Sequence, residues 1–198
     1  MKKTRSITMI ALLVAAVAGS AQAMLTAGPD IIAAPPSVVD DNPGAENYHQ
    51  QAFNELQDVL LGAALSVDGG SIGAGTLVDS HMIFLNTPGN ANVVDAQTWT
   101  FDGKIIGVMS DLNGTYEDAS NAVLGNHGTV YPGSFSNRGL EGNDSYVVAG
   151  NSIRVGMQVT EPGDWIRVVT TPVPAPGAIV LVGLGTTAVG WLRKRRIV

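Results

Sequence analysis

The chain has 198 residues, 45% of them hydrophobic, no cysteine and a formal net charge of −6. Without cysteine there is no disulfide, no thiol catalysis, no thiolate metal site and no cysteine-borne lipid. The charge is segregated: three basic residues lie in the first five positions and four at 193–196, leaving four basic against 17 acidic residues between, a balance of −13. Such a body repels nucleic acid and excludes it as a partner.

Lys2, Lys3 and Arg5 form a positive start, Ile7 to Ala18 is apolar, and Ala21-Gln22-Ala23 is a small-residue cleavage site. This is the pattern of a secretory signal peptide over residues 1–23, cut after Ala23, with Ala21 and Ala23 as the site. Residues 24–47 carry Pro29, Pro35, Pro36 and Pro43 without a clear period and read as an extended leader.

Residues 48–170 read as one domain, large enough to bury a core without cross-links. Around Tyr48–Asp58 the pattern fits a short helix or an opening strand. Val59 to Val67 is apolar and ends at the turn Asp68-Gly69-Gly70. Gly75–Val78 and His81–Leu85 read as two short strands or one bent strand. Thr98–Phe101, Asp102-Gly103 and Lys104–Met109 carry a hairpin signal. Glu117–Leu124 is the best internal helix, with Asp118 as its cap and Gly125 as its end. The segment 125–142 holds five glycines and reads as a loop. Tyr146–Ala149 reaches the turn Gly150-Asn151. Ile153, Val155, Met157 and Val159 then alternate with Arg154, Gly156, Gln158 and Thr160, the cleanest period-2 pattern in the chain. Glu161-Pro162-Gly163-Asp164 turns it and Trp165–Val169 returns. Short strands with turns about every ten residues predict an all-β fold, an antiparallel β-sandwich of jelly-roll type.

The end of the chain carries three features in order. Val173-Pro174-Ala175-Pro176-Gly177 is a proline motif. Ala178 to Leu192 is an uncharged apolar run of 15 residues, and Arg193, Lys194, Arg195 and Arg196 follow. About 20 residues span a bilayer without strain, so this run predicts a single short transmembrane helix. The basic cluster stops it on the cytoplasmic side and places the β domain outside. Residues 171–198 resemble the PEP-CTERM sorting signal of bacterial exported proteins, in which Pro-Glu-Pro precedes a glycine-containing helix and an arginine cluster. The resemblance implies recognition by an exosortase-type membrane enzyme, at least transient membrane anchoring, and passage to the cell surface or an exopolysaccharide matrix. Ala175 stands where the family usually has glutamate. At lower specificity the body looks like the β-sandwich domains that often precede such tails, which brings a location and a fold and little chemistry.

No catalytic constellation emerges. Gly69-Gly70-Ser71-Ile72-Gly73 matches G-x-S-x-G, but it lies in a turn followed by strand-like sequence, where a nucleophile elbow needs a strand before and a helix after. His49, His81 and His127 have no metal-ligand spacing, so no metal is assigned to them. The loops Asp111-Leu112-Asn113-Gly114 and Glu141-Gly142-Asn143-Asp144-Ser145 offer oxygen ligands of the kind calcium takes, but neither completes a calcium-loop pattern and glycine-asparagine turns account for both, so no cofactor is assigned. Trp99, Tyr116, Tyr131 and Trp165 are the aromatic candidates for sugar stacking, Tyr131 the most exposed by its loop position and Trp165 the one placed in the core. The favoured reading is a non-enzymatic envelope or matrix protein. The alternatives are a carbohydrate-active envelope enzyme and a permanent single-span surface protein.

Overall fold

The computed structural model describes residues 24–39 and 46–173. They form eleven strands and one helix in the order β1 Leu25–Ala27, β2 Gln51–Asn54, β3 Val59–Leu60, β4 Leu65–Val67, β5 Gly70–Ile72, β6 Leu77–Leu85, β7 Val93–Phe101, β8 Ile105–Met109, α1 Thr115–Leu124, β9 Ser145–Ala149, β10 Ser152–Val159 and β11 Asp164–Thr170. The fold is mostly β and its sheets are antiparallel, as the sequence predicts.

One sheet runs β1-β7-β10-β9. A second runs β2-β6-β11-β8, with β3 also paired to β6, and β4–β5 is a separate hairpin. Trp99, Phe101, Ile153 and Val155 of the first sheet share one core with Ile83, Leu85, Ile166 and Val168 of the second. The first sheet buries one face, and β10 therefore alternates strictly between buried and more exposed positions. The second sheet buries both. Its outer face carries Phe53, Met82, Phe84 and Trp165 beneath Val39, and Val78, Met109 and Val169 beneath Leu124 of α1 and Val67 and Ile72 of the hairpin. Every residue of β11 is consequently buried, which is why Asp164–Thr170 shows no alternation.

Two turns do something other than the sequence suggests. Asp102-Gly103 does not close a hairpin: β7 lies in the first sheet and β8 in the second, so the chain arches across the core there. Glu161–Gly163 likewise carries the chain from β10 to β11 in the other sheet. A turn pattern reports a reversal of direction, and the same reversal serves within a sheet or between two. Gly150-Asn151 does close a hairpin, with Ser152 opposite Ala149. His81–Leu85 and the residues before it form one nine-residue strand. The leader is extended where described and is also bonded into the fold. Strand β1 pairs with β7, Ile31 bridges Ala52, Val38 bridges Val130, and the Trp165 indole N–H donates to the Val39 carbonyl at 2.6 Å.

Helix α1 begins two residues earlier than predicted, and its cap is not Asp118. The Asp111 carboxylate accepts the backbone N–H groups of Thr115 and Tyr116 at 2.8 and 2.9 Å, satisfying donors that the first turn leaves free. Gly125 ends the helix as expected. Gly114, at the N-cap, has φ +64°, and a Cβ there would meet the Arg138 side chain at 2.6 Å, so glycine is required on both counts.

The helix is bound to the sheet by buried charge. Arg167 projects from the outer face of β11 and is fully buried. Its Nε and one terminal nitrogen each donate to the Glu55 carboxylate at 2.7 Å. Its remaining donors reach the Ser120 hydroxyl at 2.5 Å, the Glu117 carbonyl at 2.8 Å and Asn121 Oδ1 at 2.8 Å. The Tyr131 ring lies 5.5 Å from the guanidinium. Burial opposes the charge on Arg167, but the neighbouring Glu55 and Glu117 carboxylates hold its pKa above the ordinary guanidinium value. Arg138, also fully buried, donates to Glu117 Oε1 at 2.5 Å and to the Gly114 carbonyl at 2.7 Å. The long loop is thereby tied to the helix that Arg167 ties to the sheet.

Removing one partner of a buried ion pair leaves the other charge uncompensated, whereas replacing both is much milder. Arg167→Met should cost about 3–5 kcal/mol in urea unfolding. Combining it with Glu55→Leu should cost clearly less than the two single losses together. Additive losses would show that the pair is not the coupled unit described.

Candidate functional site

Three carboxylates, two from one turn and the third from the start of another strand, meet at one end of the shared core. Glu141 and Asp144 belong to the turn before β9, and Asp164 is the first residue of β11. One oxygen from each lies within 4.8 Å of the others. Chain geometry fixes the arrangement. The Asp144 N–H donates to the Glu141 carbonyl at 2.8 Å, closing the turn through Gly142. Asp144 Oδ2 accepts the Glu141 N–H at 3.0 Å, and Oδ1 accepts the Gln158 N–H of β10 at 2.6 Å. Asp164 pairs with Leu85 in the sheet register and follows Gly163, whose φ is +116°. A Cβ on Gly163 would lie 2.5 Å from Asn86 Oδ1 and 2.8 Å from the Leu85 carbonyl. Only glycine lets the chain pass close enough to aim Asp164 inward.

The electrostatics are one-sided. Burial pushes the Asp164 carboxyl up to about 9, and the charges of Asp144 and Glu141 push in the same direction. Burial and the Asp144 charge also raise Glu141. Asp164 is 3% exposed. Its side chain approaches Asp144 closely enough to share a proton, yet its Oδ2 has no hydrogen-bond partner, and neither does the buried Oε2 of Glu141.

The other candidate residues separate from this cluster. Ser71 lies on β5 opposite Ser66, so G-x-S-x-G runs from the hairpin turn through a strand with no helix after it and is no nucleophile elbow. Asp111 is occupied as the helix cap. His49 and His127 are exposed, while His81 is buried beside Phe101 of the shared core. Tyr131 is not an open platform: its hydroxyl accepts the Asn126 N–H at 2.8 Å and its ring covers Arg167. Trp165 is buried, as its strand position implies, on the outer face of its sheet against Phe135. Trp99 is buried with its N–H on Gln50 Oε1 at 3.0 Å, and Tyr116 packs beside the helix cluster. Among the described residues one surface depression is lined by Asp95, Asn143 and Arg154 among others, and another by Asn113, Thr115, Ser134, Phe135 and Ser136. Neither gathers two carboxylates and an aromatic ring.

Val173 of the proline motif is half-buried at the end of the described chain. Pro174, Ala175, Pro176, Gly177 and the cluster Arg193, Lys194, Arg195 and Arg196 lie outside the described residues, as do Ala21 and Ala23. Among the described residues no helix is long and apolar enough to cross a membrane.

In the sequence Glu141 and Asp144 stand in a loop that offers oxygen ligands without a complete calcium-loop pattern, and Asp164 stands in a turn. The missing signal is tertiary, because Asp164 joins the loop only through the arch from β10 to β11. Arg167 did leave a trace: one charge in the otherwise apolar run Trp165–Val169 demands a buried partner. No family model matches the chain, and no curated protein or solved structure matches it.

His81 gives a test of the interior. Its Nδ1–H donates to Asn54 Oδ1 at 2.8 Å, an oxygen that also accepts the Leu25 N–H, so Nε2 is left to accept from Thr170 Oγ1 at 3.0 Å. Burial lowers its pKa from 6.5 to about 3. The unfolded chain therefore takes up a proton that the folded chain refuses. The His81 contribution is full above pH 6.5 and is lost as pH falls toward 3. Glu117, raised by burial from 4.5 to about 7, acts oppositely, its contribution being full below pH 4.5 and lost as pH rises toward 7. In denaturant titrations across this range, His81→Gln should remove an acid-side slope of up to about 1.4 kcal/mol per pH unit. An unchanged slope would contradict the neutral, buried histidine.

Proposed function

We propose that this chain is an exported cell-envelope or matrix protein, delivered by a secretory signal and sorted through a PEP-CTERM-like tail, with a non-enzymatic β-sandwich of jelly-roll type as its working domain. The observation that carries the reading is the order of three features in residues 173–196: proline motif, 15-residue apolar run, basic cluster. A signal-peptide pattern at the other end of the chain supports it. The arches between sheets support the jelly-roll assignment, since that architecture moves the chain repeatedly from one sheet to the other. The domain's partner in this reading is exopolysaccharide, and an exosortase-type enzyme processes the tail.

Mass spectrometry of the mature C-terminus tests the proposal. A terminus near the proline motif, with the domain recovered outside the cell, is the expected result. A tail intact through Val198 in the membrane fraction would replace it with a permanent single-span anchor, and a wholly cytoplasmic protein would overturn export altogether. The basic cluster has its own test. Each of its charges costs about 2.5–3.5 kcal/mol to move to the bilayer centre. Replacing Arg193, Lys194, Arg195 and Arg196 together with serine should let the tail slip outward unprocessed while the domain folds as before. Retention and processing equal to the parent would show that the cluster is not the stop.

A further inference from the structure

The acidic cluster at the end of the core is more than an accumulation of surface carboxylates. One of its members, Asp164, is almost completely inside the protein, and the oxygen it leaves without a partner is as buried as the carbon atoms around it. A buried carboxylate oxygen without a donor is costly, and three carboxylates packed together add mutual repulsion. The charges acting on Asp164 are those of Asp144 and Glu141, both negative. Asp164 Oδ2 and the buried Glu141 Oε2 have no hydrogen-bond partner. A bound cation serves the whole set at once.

We propose that Glu141, Asp144 and Asp164 form a binding site for a divalent cation of the calcium class. The donors are all carboxylate oxygens, hard ligands that suit calcium or magnesium and not a softer transition metal. The three oxygens lie within 4.8 Å of one another, close enough for one ion to touch all three. Calcium accepts such carboxylate sets in flexible geometry, whereas magnesium demands a near-ideal octahedron and dehydrates reluctantly. Three carboxylates, some bidentate, supply three to six of the six to eight oxygens calcium takes, with water completing the shell. Asp144 is held in place beforehand by two backbone N–H donors, so the site is partly pre-organised. The cation would fasten the loop before β9 to the start of β11, joining the two sheets at one end of the core.

The test uses the full chain, purified in mild detergent and stripped with EDTA, titrated at neutral pH with calcium chloride and separately with magnesium chloride. Calorimetry should show one saturable calcium site with a dissociation constant on the order of 10⁻⁴–10⁻³ M, and a matching rise in melting temperature. Magnesium should bind more weakly. Asp164→Asn and Glu141→Gln should each weaken calcium binding by about tenfold or more, while the exposed control Glu46→Gln should bind as the parent does. Glu141→Gln, nearer the surface, keeps the test informative if Asp164→Asn fails to fold. No binding heat and no melting shift at calcium concentrations of about 10 mM, well above the expected constant, would overturn the proposal. So would an equal affinity in Glu141→Gln, or an equal loss in Glu46→Gln, which would mark diffuse attraction to an acidic surface.

Discussion

The ion pair between Arg167 and Glu55 is the constraint around which the outer half of this protein is organised. A guanidinium in the middle of a fully buried strand has no access to water, so each of its donors must find an acceptor inside. Two go to Glu55 on the chain just after β2, and the rest go to Ser120, Asn121 and the Glu117 carbonyl of α1. The helix is thus not placed by an apolar stripe alone. Its buried residues include Glu117 and Ser120 beside Leu124, an unusual inward face that makes sense only opposite Arg167. Arg138 then closes on Glu117 and fixes the long loop over the same layer.

This use of arginine changes the surface as well as the interior. The domain has four basic residues, and two of them, Arg138 and Arg167, are spent inside. Lys104 and Arg154 alone remain exposed among the described residues, against a much larger number of carboxylates. The surface is therefore strongly anionic and suited to divalent cations or a cationic matrix. The acidic cluster at the core's end is the extreme of the same imbalance.

Much of the first sheet was legible in the sequence because it obeys a local rule. Strand β10 buries one face, so Ile153, Val155, Met157 and Val159 announce it, and Gly150-Asn151 announces the hairpin before it. The second sheet was harder. Burial on both faces erased alternation in β6 and β11, and the strands were recognised only as apolar runs. Layering was not legible at all: Asp102-Gly103 and Glu161–Gly163 turn the chain in the same way whether it returns to its own sheet or crosses to the other. For the candidate site, Glu141 and Asp144 are local and were seen, whereas Asp164 is contributed by an arch and could not be. Tyr131 was misjudged because a glycine-rich loop suggests exposure, while this loop is drawn down over Arg167.

The most direct test of the central claim is the exchange behaviour of the Arg167 Nε–H in an NMR spectrum. A guanidinium held by Glu55 and sealed under α1 and Tyr131 should show a resolved Nε–H that exchanges with solvent as slowly as the core amides of β6 and β11. An Nε–H that exchanges as fast as that of the exposed Arg154 would contradict the account, because the outer layer would then open without breaking the pair that is said to hold it.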